Sequence, residues 1–315
     1  MTQGIDVSKH NGKVDWPTAK AAGLNFAMLR CGYGSDMASQ DDEQFARNVK
    51  ECDRLGIPWG AYLYSYALNA NDAKSELQHV LRLLKGKQPT YPVVIDMEDA
   101  DGYKQRNGMP SRQMLTDIVK TVCSGLEDAG YFAGYYVNRD WYYNRIYPDQ
   151  LKQYAFWYAR PGVDQPDLSC GLWQNEFPST GGKWPGANIP GSGGCDTDKS
   201  FVDYPALVRE KGLNGWTATQ KARVAGEDTI IQTTCVVDTT LDVKKPLGEC
   251  YTLLLTCPVQ PKVTVDAPVV CACPLSSLRP GAWLCNLVGY QKGDAGICTQ
   301  VPGEPVCIRF RYHVV

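Results

Sequence analysis

The sequence predicts a mixed α/β protein: an eight-stranded TIM-like (β/α) barrel with an incomplete helix set, followed by a small all-β, sandwich-like module. Three observations lead there. Strand-like apolar runs alternate with amphipathic stretches over the first two thirds of the chain, which implies parallel strands joined by right-handed crossovers. About eight such runs fall in roughly 210 residues, a number suited to a closed barrel. Composition then changes near residue 213: residues 1–214 hold 6 of 8 Trp, 15 of 18 Tyr and 6 of 7 Phe, whereas eight of the 13 cysteines lie beyond them.

Strands are expected at Gly4–Ser8, Phe26–Cys31, Trp59–Tyr66, Pro92–Glu98, Phe132–Asn138, Ala155–Ala159 and Leu172–Asn175, with a short eighth piece at Cys195–Thr197. Between them, Phe45, Val49, Cys52 and Leu55 line one helical face within 41–55, and Leu77, Val80, Leu81 and Leu84 do so within 72–85. Ser111 is placed to cap a helix that runs through Leu115, Ile118, Val122 and Leu126 and stops at Gly130. After residue 139 the helical periodicity fades. The barrel is therefore assigned to 1–213, a linker to 214–225 and a Cys-rich all-β module to 226–315. In that last part, Thr229–Val236, Tyr251–Cys257, Lys262–Val265 and Cys307–Tyr312 are short β-branched runs separated by Pro- and Gly-rich turns.

Composition narrows the function. With 32 Lys and Arg against 34 Asp and Glu, the chain lacks the basic excess of a generic nucleic-acid binder. No run approaches the length of a membrane span. None of the eight tail cysteines forms a CxxC pair, so zinc is not expected there, and no cofactor is implied anywhere. The N-terminus carries neither a basic nor an apolar signal region.

The most informative stretch is Tyr91-Pro-Val-Val-Ile-Asp96-Met-Glu98. A continuous apolar run marks a buried parallel strand, and two carboxylates at i and i+2 then share one face at its C-terminal end. That end of a barrel carries the active site. Neighbouring acids in a cleft push their pKa values apart, as glycosidic bond cleavage requires. Asp6 ends the first strand, and Asp196 is expected to close the last, so both are placed at the same mouth. Tyr62 and Tyr64 alternate along one strand face, and with Tyr136, Trp157, Trp173 and Gln174 they form the expected sugar-binding lining, because rings stack on the apolar faces of sugars. A metal-dependent hydrolase using Asp6, His10, Asp96 and Asp196 is a weaker reading, since no HxH or HExxH spacing is present.

In order along the chain, Gly4-Ile-Asp-Val-Ser-Lys-His-Asn-Gly12, Leu29-Arg-Cys-Gly-Tyr-Gly34, Gly60-Ala-Tyr-Leu-Tyr-Ser-Tyr66, Val94-Ile-Asp-Met-Glu98 and Leu172-Trp-Gln174 resemble the glycoside hydrolase family 25 lysozymes, the Chalaropsis-type N-acetylmuramidases. The resemblance covers about residues 3–210. It implies a barrel with helices around only part of it, and cleavage of the β-1,4 bond between N-acetylmuramic acid and N-acetylglucosamine in bacterial cell-wall peptidoglycan. It further implies that Glu98 is the general acid, Asp96 its partner carboxylate, and Asp6 and Asp196 the two further acids. Cys195-Asp-Thr-Asp198 departs from the family pattern, which usually has an aliphatic residue before the Asp and Asn two after it. A non-catalytic peptidoglycan-binding protein is the alternative, and intact Asp6, Asp96 and Glu98 argue against it. By position and β character, the tail is expected to be a wall-binding or Ig-like module, with a dimerisation or spacer domain as the other reading. With no signal region, the family context implies a phage or prophage lysin that accumulates in a host cytoplasm, and a mature secreted enzyme is the alternative.

Overall fold

In the computed structural model, which describes all of residues 1–315, eight strands close into a barrel. They are β1 (Thr2–Val7), β2 (Phe26–Tyr33), β3 (Trp59–Tyr64), β4 (Val93–Asp96), β5 (Ala133–Asn138), β6 (Ala155–Ala159), β7 (Leu172–Glu176) and β8 (Asp196–Ser200). Strands β1 to β7 pair with their sequence neighbours in parallel. The last strand departs from the expected all-parallel arrangement: β8 runs antiparallel to both β7 and β1. The cause lies in the connection after β7. Residues 177–195 contain no α-helix to carry the chain back along the barrel wall. A parallel neighbour needs such a crossover. Without it, the chain stays at the mouth where β7 ends and β8 starts down from there.

Seven helices accompany the sheet: α1 (Trp16–Ala21), α2 (Phe45–Leu55), α3 (Ala70–Leu84), α4 (Tyr103–Arg106), α5 (Arg112–Asp128), α6 (Arg139–Asn144) and α7 (Tyr204–Lys211). The three with clear sequence periodicity, α2, α3 and α5, are the long ones. Ser111 accepts from the Met114 N–H as the α5 cap, and Gly130 follows the helix with φ of 83°. Their apolar faces meet the outward residues of the strands, among them Ile5, Val7, Leu29, Leu63, Ile95 and Val137.

Inside the barrel lies a second core of Phe26, Met28, Tyr62, Tyr91, Val94, Tyr136, Trp157 and Leu172, closed below by Tyr204. Strand alternation assigns each side chain to one core or the other. Large rings fit inside only because small residues face them. A Cβ on Gly4 would stand 2.5 Å from the Phe26 ring.

The chain divides between Val208 and Arg209, and the second unit is a two-sheet β structure. One sheet includes the strands Gln220–Val224, Ile230–Thr233, Lys262–Val265, Gly293–Gln300 and Cys307–Val314, and the other includes Val236–Val237, Cys250–Thr256, Val270–Ala272 and Ala282–Gly289. Leu253, Leu255 and Leu287 of one sheet share a core with Ile297, Phe310 and Tyr312 of the other. The expected linker at 214–225 is not wholly a connection: Gln220–Val224 is a strand paired with both Ile230–Thr233 and Cys307–Val314. Its alternating burial, with Ala222 and Val224 inside, fits the β module rather than a spacer. Cys235 and Cys257 form a disulfide in this unit.

The Gly4–Phe26 contact gives a direct test of the interior packing. Gly4→Val is expected to destabilise the barrel by about 1–3 kcal/mol through overpacking, measured by denaturant unfolding. Pairing it with Phe26→Leu is expected to restore part of that loss.

Candidate active site

The inward positions of successive strands end at one mouth. There they enclose a cavity of about 420 Å³ whose lining includes Asp6, Arg30, Tyr62, Tyr64, Asp96, Glu98, Tyr136, Trp157, Gln174 and Asp196. Asp6 and Asp196 are direct cross-strand partners, and Asp96 is in register with Tyr64 on one side and Tyr136 on the other. Glu98 lies just past the end of β4, two residues beyond Asp96, while the intervening Met97 is fully buried in the outer core. Asp196 reaches the mouth because β8 is antiparallel. It opens that strand rather than closing it, a correction to the sequence expectation that leaves the residue at the same rim.

Hydrogen bonds fix the deep wall. Tyr136 donates through its hydroxyl to Gln174 Oε1 at 2.7 Å, and Gln174 Nε2 donates to Asp6 Oδ2 at 2.8 Å. Trp157 Nε1 donates to Asp198 Oδ1 at 2.8 Å. Asp6 and Asp198 lie near enough to act on each other electrostatically, and Asp198 Oδ2 is buried with no protein hydrogen-bond partner. These contacts make Gln174, Tyr136 and Trp157 a scaffold for acids as well as a lining. Tyr136 and Tyr62 both pack edge-on against Trp157, with ring centroids 4.9 and 5.5 Å away.

Burial governs the charges. It is the largest cause of raised pKa values at Asp6, Asp96, Glu98, Asp196 and Asp198, because each carboxylate loses hydration near other acids. Glu98 is pushed up to about 7, and Asp196 and Asp198 to about 8. Asp96 is raised by burial and then by the Glu98 charge. One oxygen of Asp96, Oδ1, is buried with no protein hydrogen-bond partner, although the carboxylate lines the cavity. Such an atom is costly unless a ligand donates to it.

Two residues that the sequence reading did not assign to the site belong to it, one of them Asp198, the competitor of Asp196 in the last strand. Asp198 sits in the inner wall, one inward position below Asp196; its alternation with Asp196 along β8 was the available signal. Arg30 continues the inward series Phe26, Met28, Arg30 and enters the mouth, held by Asp42 through Nε at 2.8 Å. A charged residue in phase with an apolar strand face marks such a position.

Trp173 is the correction among the aromatic residues. It does not line the cavity: as the neighbour of inward-facing Gln174, it must point to the opposite face of β7. There its Nε1 donates to the Arg160 carbonyl at 2.9 Å, and the Lys199 ammonium lies 4.8 Å from the ring centroid. His10 stands at the rim.

Known proteins share the barrel that carries this mouth. The sequence model of Glycosyl hydrolases family 25 matches residues 5–177. Lysozyme M1 of Streptomyces globisporus is 29% identical over 119 residues, a stretch covering 37% of this chain and 39% of that protein, so the chain matches well under half of its curated relative. Among solved structures, the modular autolysin LytC of Streptococcus pneumoniae, in complex with a synthetic peptidoglycan ligand, is similar with a TM-score of 0.53 and 26% identity. That match covers 62% of this chain and 46% of LytC. The bacterial lysozyme of Streptomyces coelicolor shares the fold with a TM-score of 0.53 and 21% identity, over 68% of this chain and 96% of that one.

The raised carboxyls predict how stability follows pH. Their folded pKa values lie above the unfolded values of about 4, so the folded state holds more protons between about pH 4 and 8. Stability therefore falls as pH rises through that window. Urea unfolding is expected to show a weaker barrel at pH 8 than at pH 5. Asp198→Asn, which keeps an acceptor for Trp157, is expected to narrow the gap by on the order of 1 kcal/mol.

Proposed function

The chain belongs to glycosyl hydrolases family 25, and on that premise we propose that it is a peptidoglycan hydrolase of the N-acetylmuramidase type, cutting the β-1,4 bond between N-acetylmuramic acid and N-acetylglucosamine. The observation that carries this reading is the Asp96–Glu98 pair at the end of β4, in a buried, acid-rich mouth where Glu98 titrates near neutrality. A carboxyl with a pKa of about 7 still holds its proton at mildly acidic pH, as a general acid must.

In the proposed mechanism, Glu98 donates its proton to the glycosidic oxygen as the bond to the anomeric carbon breaks. Asp96 stays anionic, and its partnerless Oδ1 accepts a hydrogen bond from the N–H of the substrate's 2-acetamido group. That contact orients the acetamido oxygen to attack the anomeric carbon, giving a cyclic intermediate with no covalent bond to the enzyme. Glu98, now a carboxylate, takes a proton from water, and the resulting hydroxide opens the ring with net retention. Tyr62, Tyr64, Tyr136 and Trp157 supply ring faces and hydroxyls along the sugar's path. Asp6 and Asp196 complete the polar wall around the reacting sugar.

The second unit, 209–315, is proposed to hold the enzyme on the wall, supported by its independent core and by the gain in local concentration that attachment to an insoluble polymer brings. The proposed place of action is the bacterial cell wall, reached as a phage or prophage lysin released from the host cytoplasm.

Three outcomes test these assignments. Digestion of purified walls is expected to create new reducing ends that are N-acetylmuramic acid; N-acetylglucosamine ends would overturn the bond assignment. Glu98→Gln is expected to lower kcat by at least about 100-fold with little change in KM, and near-normal turnover by the folded variant would remove Glu98 from its role. Residues 209–315 are expected to be retained on purified walls in a sedimentation assay, and failure to co-sediment would leave that unit a spacer.

A further inference from the structure

Behind the carboxyl pair lies a charge that the mechanism above does not use. Lys104, on α4, is fully buried. Lysine takes such a position only when its ammonium is paired. Its Nζ donates to two backbone carbonyls, those of Ser65 and Glu98, the latter at 3.0 Å. The backbone N–H groups of Lys104 and Gln105 donate to the Asp99 carboxylate at 2.7 and 2.9 Å, which fastens this single helical turn to the segment carrying Glu98. The ammonium also lies 5.9 Å from the ring centroid of Tyr64 and 5.8 Å from that of Trp141. Ser65, whose carbonyl accepts from Lys104, also donates through Oγ to buried Glu76 of α3 at 2.7 Å, and the Tyr66 N–H holds the same carboxylate at 2.6 Å.

We propose that Lys104 is a positioning residue for the Asp96–Glu98 pair. Its ammonium anchors the Glu98 main chain and supplies the fixed positive charge that lets Asp96 stay anionic beside a protonated Glu98. The inference rests on the muramidase reading and adds to it the group that sets the working pH.

The surrounding charges make Lys104 the one to carry this role. Glu98 is faced by Asp99 and Asp101 of its own loop, and Asp96 by Asp6 of β1, all of which oppose ionisation. Asp196 of β8 and the hydroxyls of Tyr64 and Tyr136 feel the Glu98 charge as well. Two cations act on Asp96, Lys104 and Arg30, of which Lys104 acts more strongly, while Arg30 bonds Asp42 through Nε. Lys104 alone acts favourably on both members of the pair. Glu76 is the anion that acts most strongly on Lys104 in turn.

The test is the pH profile of kcat/KM. An acid limb reports Asp96 and an alkaline limb reports Glu98. Lys104→Met keeps the length of the side chain without the charge, and is expected to move both limbs up by about one pH unit, with KM little changed at the new optimum. Burial pushes the Glu76 carboxyl up to about 7, so it opposes Lys104 chiefly on the alkaline side, and Glu76→Gln is expected to move the alkaline limb down. Carboxyl titration of the substrate-free protein by infrared spectroscopy should show the same two shifts without turnover. Unmoved limbs and an unmoved carboxyl titration in Lys104→Met would overturn the proposal and leave Lys104 a fold-holding residue. If Lys104→Met does not fold, Glu76→Gln decides: no downward shift overturns it. Should the wild-type protein release no reducing ends, the muramidase reading fails, while the titration still measures the action of Lys104 on the pair.

Discussion

Bringing Asp6, Asp96, Glu98, Asp196 and Asp198 under one barrel mouth takes five carboxyl groups out of water within reach of one another. Desolvation and mutual repulsion both favour the protonated forms. The mouth therefore cannot carry five negative charges at neutral pH; it holds several protons, and the surroundings decide where they sit. Asp6 and Asp198 are both held toward the protonated form by burial and by a neighbouring acid. In the proposed mechanism the Asp96–Glu98 pair keeps one proton, on Glu98, where a glycosidic oxygen would need it. Repulsion that is costly for folding thus becomes the source of a near-neutral acid, the common exchange of stability for activity.

The rest of the barrel can be understood as what tolerates this concentration of acid. Strand alternation sends Ile5, Val7, Ile95 and Met97 to the outer core and leaves Asp6, Asp96 and Glu98 facing in. Trp157, Gln174 and Tyr136 fill the interior with rings and amide, and at the same time donate or relay the hydrogen bonds that the acids require. Arg30 is held at the rim by Asp42, which also accepts from the Lys9 N–H at 2.8 Å, so one buried carboxylate ties the loop after β1 to β2. The same side chains therefore serve packing and electrostatics, and single substitutions here should rarely affect only one of the two.

Much of this architecture is legible in the sequence because it depends on local periodicity. The apolar run before Asp96 and the spacing of Phe45, Val49 and Cys52 fix strand and helix by themselves. Where the sequence reading departs from the structure, the deciding contact is distant. The direction of β8 depends on whether residues 177–195 cross the barrel wall, and no local pattern encodes that. Trp173 looks like a sugar platform because it ends a strand beside Gln174, yet alternation commits the two to opposite faces, and only closure of the barrel shows which is inside. Lys104 sits on a four-residue helical turn with no periodic signal. Its importance arises from Ser65, Glu76 and Glu98, which approach it from three segments of the chain. The strand at Gln220–Val224 has a local partner in Ile230–Thr233, but only Ala222 and Val224 of its five residues are buried, too short an apolar alternation to mark it.

The most direct measurement of the central claim is the location of the proton itself. Neutron diffraction from crystals held near pH 6 would show whether a hydrogen isotope is bound to each carboxyl, at a pH below the Glu98 value of about 7. The account predicts density for one on Glu98 and none on Asp96. Bare oxygens on both carboxyls, or a proton on Asp96 with Glu98 ionised, would contradict it.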